Sequence, residues 1–265
     1  MTDKTADSTA DVGNITVETR GRVRLIGIDR PAKYNGFTPE MIRQLAEAYQ
    51  GVEDDPEVFC TLLHTTGKHF TAGLQLDRFD VTSDLGTAGL TDPLDLREPR
   101  RKKPVVAAVR GICFTIGIEL MLAADVVVAG EGSRFGQLEV SRGLMAYGGA
   151  TARMVERAGW GNAMRWLLTG EQFDAAEALR VGFVQEVVPD EAVFKRGLEL
   201  AERIAAQAPL AVQATRRSSR LASEEGMAAA LAIMGEQMQA LSESEDFAEG
   251  VKSFVERRDG RYTGR

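Results

Sequence analysis

The chain has 265 residues, 44% of them hydrophobic and 27% charged, values ordinary for a globular protein with a substantial core. A net charge of −7 argues against nucleic acid as the main partner, because phosphate affinity rests on an excess of Lys and Arg. No apolar stretch reaches the roughly 18–20 uncharged residues of a membrane span, nothing at the start reads as a secretory signal, and Cys60 and Cys113 lie in apolar runs; the expectation is a cytoplasmic protein with two buried thiols.

Residues 1–13 (MTDKTADSTADVG) are polar and small, and read as a disordered tail. "ITVETRGRVRLIGID" reads as a hairpin turning at Gly21-Arg22. Pro39 opens a helix, with Met41, Leu45, Ala48, Tyr49 and Val52 on one face. "VFCTLLHT" is a buried strand ending at Gly67, and "PVVAAVR" is another, stopped by Gly111. A helix is expected from near Gly117 to about Ala124, then "DVVVAG" as the next strand, with a further strand in "GFVQEVVP" near 182–189. Gly148-Gly149 opens a helix carrying Arg153. After Pro189 only helical patterns follow, at 191–207, 209–222, 224–241 and 245–257; Met227, Met234 and Met238 share one face there, suited to core or subunit contact. The organisation is a tail (1–13), an α/β body (14–190) and an all-helical region (191–265).

Inside the apolar run "GICFTIGIELMLAADVVVAG" sits Glu119, in the first turn of the expected helix. A carboxylate there complements the helix dipole, which is reason enough for one glutamate. Twenty residues later Glu139 lies between Leu138 and Val140, and upstream "GKHFTAGLQL" is a tight glycine loop after a buried strand. Two carboxylates can hold and deprotonate a water, and paired backbone N–H groups can polarise a carbonyl.

At these residues the chain resembles the crotonase superfamily, the enoyl-CoA hydratase/isomerase family. "DRPAKYNGFTPEM", "GKHFTAGLQL", "KPVVAAVRGICFTIGIELMLAADVVVAG", "FGQLEVSRGLMAYGGATARM", "LLTGEQFDAAEALRVGFVQEVVP" and "EDFAEGVKSFVERR" match its signatures in order, from about Ile15 to Arg261. The resemblance implies an α/β fold, a spiral of β-β-α turns with a C-terminal all-helical region used in trimer formation, as a homotrimer or a hexamer of paired trimers. It implies a coenzyme A thioester as substrate, with no other cofactor and no metal. By position it implies that the backbone N–H groups of Ala72 and Ile116 bind the thioester oxygen, and that Glu119 and Glu139 are the catalytic pair. Hydratases of the family keep both glutamates; many isomerases keep one.

The expected reaction is reversible syn addition of water to a 2-trans-enoyl-CoA, with Glu119 as water-side base and Glu139 as proton donor to Cα. Lys33 is the candidate for a coenzyme A phosphate, and Ala72, Gly73, Leu74 and Gln75 for the pantetheine. "REPRRKK" (97–103) reads as a solvated loop, with phosphate contact as the alternative. His64 is expected at a strand end, the His69 side chain in solvent, and Trp160 and Trp166 packed beside a helix. The chain departs from the family where Thr115 and Ile116 replace glycines, where Gln75 replaces an aspartate, and where "LMAYGG" lacks a proline. The competing readings are double-bond isomerisation or another acyl-CoA reaction on the same scaffold, and a non-catalytic binding protein on this fold.

Overall fold

A computed structural model describes residues 13–80 and 89–265. All but the last residue of the expected tail, 1–13, lies outside them.

Strands β1 (Asn14–Arg20) and β2 (Val23–Asp29) pair antiparallel, and their register sets Arg20 opposite Val23, so Gly21-Arg22 is the turn. Gly21 takes φ 56, open to glycine without a Cβ penalty. Helix α1 (Pro39–Asp54) begins at Thr38, whose side chain accepts the Met41 N–H at 3.3 Å. Its five predicted core residues are all buried.

There follow β3 (Cys60–Thr65), β4 (Val105–Val109), β5 (Ile112–Phe114), α2 (Ile116–Ala123), β6 (Val126–Gly130) and β7 (Arg134–Gly136). Next come α3 (Ala150–Ala158), α4 (Trp160–Thr169), β8 (Gln172–Asp174), α5 (Ala175–Arg180) and β9 (Glu186–Val188). The larger sheet has the order β1-β2-β3-β4-β6-β9, parallel from β2 onward, and the smaller has β5-β7-β8. The chain leaves the larger sheet at β4, enters the smaller at β5 and returns through α2 to β6. It then crosses to β7 and returns through α3, α4, β8 and α5 to β9. This is the expected spiral of β-β-α turns. The three short strands of the smaller sheet carry too few residues to show a period of two, and sequence reading did not find them.

Four helices close the chain: α6 (Val193–Ala205), α7 (Pro209–Glu225), α8 (Met227–Ser242) and α9 (Glu245–Glu256). The first of them, α6, packs on the larger sheet. Leu62, Val106 and Ala108 point to one face of the larger sheet, where Val193, Ala201 and Ala205 of α6 cover them. A Cβ at Gly197 would meet Leu62 and Ala108 at 3.0 and 3.1 Å, so α6 lies close on the sheet. On the other face Leu63, Ala107, Val109 and Val127 join the main core with α1 and α2.

The segment 97–103 is a solvated loop only in part: Arg97, Glu98, Pro99 and Lys102 are exposed, but Arg101 and Lys103 are buried. Arg101 is 2% exposed, donates to the Ala123 carbonyl and lies beside Asp95 and Asp125. Arg216 of α7 reaches the same two aspartates, at 2.5 and 2.8 Å, which fastens α7 to the body. Lys103 Nζ donates to the Val52 and Asp55 carbonyls at 2.7 and 2.6 Å, capping the end of α1. A basic run looks solvated in sequence because its carboxylate partners lie far off along the chain. His69 is likewise not simply solvent-facing: its Nδ1 accepts the Ile112 N–H at 3.1 Å and its ring lies 5.1 Å from Tyr34. Trp166 packs on Phe173, but Trp160 is 71% exposed. His64 ends β3 against Phe194, and both thiols are buried and unpaired, as expected.

Candidate active site

Phe70 and Thr71 run beside β5, with Phe70 N–H bonded to the Arg110 carbonyl and Thr71 N–H to that of Ile112. This brings the loop Ala72-Gly73-Leu74 against the start of α2. Asn35, fully buried, fixes the loop from the other side: its Nδ2 donates to the Thr66 and His69 carbonyls, and its own carbonyl accepts from Thr71 Oγ1 at 2.7 Å. Sequence reasoning quoted Asn35 within a motif without giving it this role.

The expected oxyanion donor Ala72 is corrected by the geometry. Its N–H is bonded to the Tyr34 carbonyl at 3.0 Å and is not free for a substrate. On this loop the N–H without an acceptor among the described residues is that of Leu74. The Gly73 carbonyl and Gln75 N–H both bond Phe37, at 2.8 and 2.9 Å. The C=O and N–H of one trans peptide point to opposite sides, so the Leu74 N–H, which shares its peptide with the Gly73 carbonyl, faces away from Phe37. It has no acceptor among the described residues, and Leu74 lines a cavity shared with Glu119 and Glu139.

Ile116 is the first residue of α2, and its N–H is one of the donors a helix start leaves unused. No acceptor for it lies among the described residues. Ile116 stays within the right-handed helix; the unusual backbone falls one residue earlier. Thr115 has φ 51 and ψ −115, a conformation costing on the order of 1–3 kcal/mol for a residue with a Cβ. It is held there by its N–H bond to the Gly136 carbonyl at 2.9 Å and by close contact of its Oγ1 with Gly73.

Glu119 lies one turn into α2, all of which is buried, and is 4% exposed. Its Oε1 accepts the N–H groups of Gly148 at 2.6 Å and Ala150 at 3.4 Å. A Cβ at Gly148 would stand 2.3 Å from Glu119 Oε2, so only glycine fits. Burial, and after it the charge of Glu139, push the Glu119 carboxyl up to about 7, against the pull of these two N–H groups. Glu139 opens a turn of 3-10 helix, Glu139–Arg142, directly after β7. Gln137 Nε2 donates to its Oε1 at 3.0 Å, while its Oε2 is buried with no partner. Burial raises this carboxyl too.

Both glutamates, Ala72, Leu74, Thr115 and Ile116 line one cavity of about 400 Å³, walled further by Leu76, Leu138, Leu144, Met145, Tyr147 and Arg142. That is an apolar pocket of small-molecule size with a few convergent polar groups. One buried and one half-buried carboxyl and two unused N–H groups at one cavity can hold a water and a carbonyl side by side.

A family model for enoyl-CoA hydratase/isomerase matches residues 18–265. The chain belongs to this family, within the crotonase superfamily. Among solved structures of the family, a probable enoyl-CoA hydratase/isomerase from Mycobacterium abscessus is 43% identical. It superposes with a TM-score of 0.91, over 95% of this chain and 98% of that one. Among curated members, Enoyl-CoA hydratase EchA19 of Mycobacterium tuberculosis is 35% identical over 94% of this chain and 96% of its own. The 2,3-dehydroadipyl-CoA hydratase of Escherichia coli is 31% identical over 96% of this chain and all of its own.

Of the family positions read from sequence, Glu119, Glu139, Ile116, Ala72 and Leu74 meet at the cavity. Lys33 is exposed and lies outside the cavity wall, on the loop whose Tyr34 carbonyl holds Ala72. Gly73 is buried beneath Thr115, and Gln75 lies outside the lining with its Nε2 3.5 Å from Asp77. The supports of the two carboxyls, Gly148 and Gln137, went unnoticed as such. Their only sequence signals were the paired glycines after "LMAY" and a polar residue two places before Glu139.

Proposed function

We propose that the chain is an enoyl-CoA hydratase, adding water reversibly across the 2-trans double bond of an enoyl-CoA thioester. The observation that carries this reading is the pair Glu119 and Glu139 at one cavity beside two backbone N–H groups without acceptors. The thioester oxygen sits between the N–H groups of Leu74 and Ile116, which stabilise the charge it gains as water attacks Cβ. Each donor of this kind contributes about 2.7–4 kcal/mol.

Glu119 takes the proton of the attacking water while Glu139 gives its proton to Cα. This division suits the supports. Glu139's own charge is part of what raises Glu119, so protonating Glu139 removes that repulsion and lets the Gly148 and Ala150 N–H groups favour the Glu119 carboxylate. Water supplies H and OH, both end on the substrate after one proton passes through the pair, and the step needs no metal or redox group. Lys33 meets a phosphate of coenzyme A, and the loop from Ala72 to Gln75 flanks the pantetheine.

The body binds and reacts, and the last helices associate copies into trimers, singly or paired. Met227, Leu231, Met234 and Met238 form one exposed apolar face of α8, and Phe254 and Val255 of α9 are 83% and 74% exposed. The setting is the cytoplasm, where the two thiols stay reduced.

The test is loss of conjugated-thioester ultraviolet absorbance with Glu119→Gln, Glu139→Gln and the double variant. Each single change should lower hydration by at least ~10²-fold, with the double barely worse than the worse single. An isomerase would be crippled by Glu139→Gln alone, and a binding protein would show no turnover.

A further inference from the structure

The cavity wall carries one permanent cation, Arg142, whose charge pulls the Glu139 carboxyl down against the burial that raises it, and which has no other role in hydration. Arg142 closes the 3-10 turn that Glu139 opens. Residues three apart in such a turn stand one above the other, so Arg142 shares the cavity-facing side with Glu139, about 6 Å along the turn. Both line the cavity.

Some arginines of this acidic chain are tied to carboxylates, Arg101 and Arg216 to Asp95 and Asp125, Arg196 to Glu186, and Arg258 to Glu249, while Arg134 and Arg165 form no ion pair among the described residues and lie outside this cavity. Arg142 forms no ion pair among the described residues. Its one side-chain hydrogen bond is a long one, 3.4 Å, to the hydroxyl of neighbouring Ser141. Glu139 does not hold it, since its Oε1 is taken by Gln137 and its Oε2 has no partner. A second arginine stands close by. Arg97 lies 5.2 Å over the ring of Tyr147, also on the cavity wall, and it too has no ion pair among the described residues. Leu138, Leu144 and Met145 also line the cavity. An apolar cavity with an exposed guanidinium on its wall, free of any ion pair among the described residues, suits an acyl chain that ends in an anion at the cavity's solvent side, because the planar fork matches a carboxylate.

We propose that the preferred substrates are enoyl-CoA thioesters whose acyl group carries a second, free carboxylate, bound by Arg142 with Arg97 adding to the local positive potential. This rests on the hydratase reading and narrows it. A phosphate of coenzyme A offers similar anionic chemistry, so the measurements must separate the two.

The experiment pairs esters of equal length. Adipyl-CoA and hexanoyl-CoA, which cannot react, measure binding by calorimetry; 2,3-dehydroadipyl-CoA and 2-hexenoyl-CoA measure turnover; free coenzyme A measures the nucleotide contribution. Wild type should bind adipyl-CoA more tightly than hexanoyl-CoA. Arg142→Gln should lower that ratio, and the matching ratio of kcat/KM, about ten-fold or more, the worth of a charged hydrogen bond. Arg142→Lys, which keeps the charge without the fork, should fall between. The proposal is overturned if wild type shows no preference for the carboxylated esters. It is equally overturned if Arg142→Gln weakens free coenzyme A and all four esters alike, which would make Arg142 a phosphate contact. If neither unsaturated ester is hydrated, the hydratase reading fails, while the adipyl and hexanoyl affinities still decide the fate of the carboxylate site.

Discussion

Replacing Glu119 by Gln should make the protein more stable above neutral pH while making it a poor catalyst. In the fold the Glu119 carboxyl is raised from its ordinary 4.5 to about 7, first by burial and then by the charge of Glu139. A carboxyl raised on folding favours the folded state in its protonated form. Its contribution is complete below pH 4.5 and is lost as pH rises through about 7. At 1.36 kcal/mol per tenfold step, the interval from 4.5 to about 7 is worth about 3 kcal/mol. Gln keeps the oxygen that accepts the Gly148 and Ala150 N–H groups and removes the charge. The variant should therefore match wild type near pH 5 and exceed it by up to about 3 kcal/mol at pH 8. The assay is urea unfolding of both proteins at the two pH values, at one protein concentration because an oligomer's stability depends on it. A difference of the same size at both pH values would sink the argument, since nothing would then titrate with the buried carboxyl.

Gly148→Ala should push the Glu119 carboxylate aside, because the new Cβ would stand 2.3 Å from its Oε2. Hydration should fall by about 10²-fold with overpacking of about 1–3 kcal/mol, and should scarcely fall further when Glu119→Gln is added, as rates of the two singles and the double will tell. Ile116→Gly opens the cavity wall where Ile116 is 2% exposed, and should reorder a series of acyl chains more than it changes affinity for free coenzyme A. A uniform fall in all rates would mean the side chain has no part in selectivity. Sedimentation at micromolar concentration should show trimers or their pairs, and removal of residues 245–265 should shift the distribution downward; a stable full-length monomer would end that proposal.

Much of this was legible because the elements that matter are long or sharply punctuated. The hairpin at Gly21-Arg22, the Thr38–Pro39 helix start and the apolar runs of the larger sheet announce themselves through local chemistry. Glu119 and Glu139 stood out because carboxylates in apolar runs call for a reason. What stayed hidden depends on contacts distant in sequence. That the Ala72 N–H is consumed follows from a carbonyl 38 residues upstream, at Tyr34. The ion pairs of Arg101 need Asp125 and α7 in place, and the cover that α6 provides needs the far face of the sheet. A one-dimensional reading sees a donor or a charge; only the fold says whether it is already engaged.

Thr115 has a further consequence, for entropy rather than energy. Glycine at the start of α2 would leave the chain before Ile116 free to sample many conformations. Thr115 restricts that freedom through its branched Cβ, and the Gly136 carbonyl and Gly73 contact select the single conformation that aims the Ile116 N–H. The ordering of this segment is therefore completed when the protein folds, and little is left for the substrate to do on arrival. A loop stiffened in this way gives up the adaptability that glycine would have kept at this position.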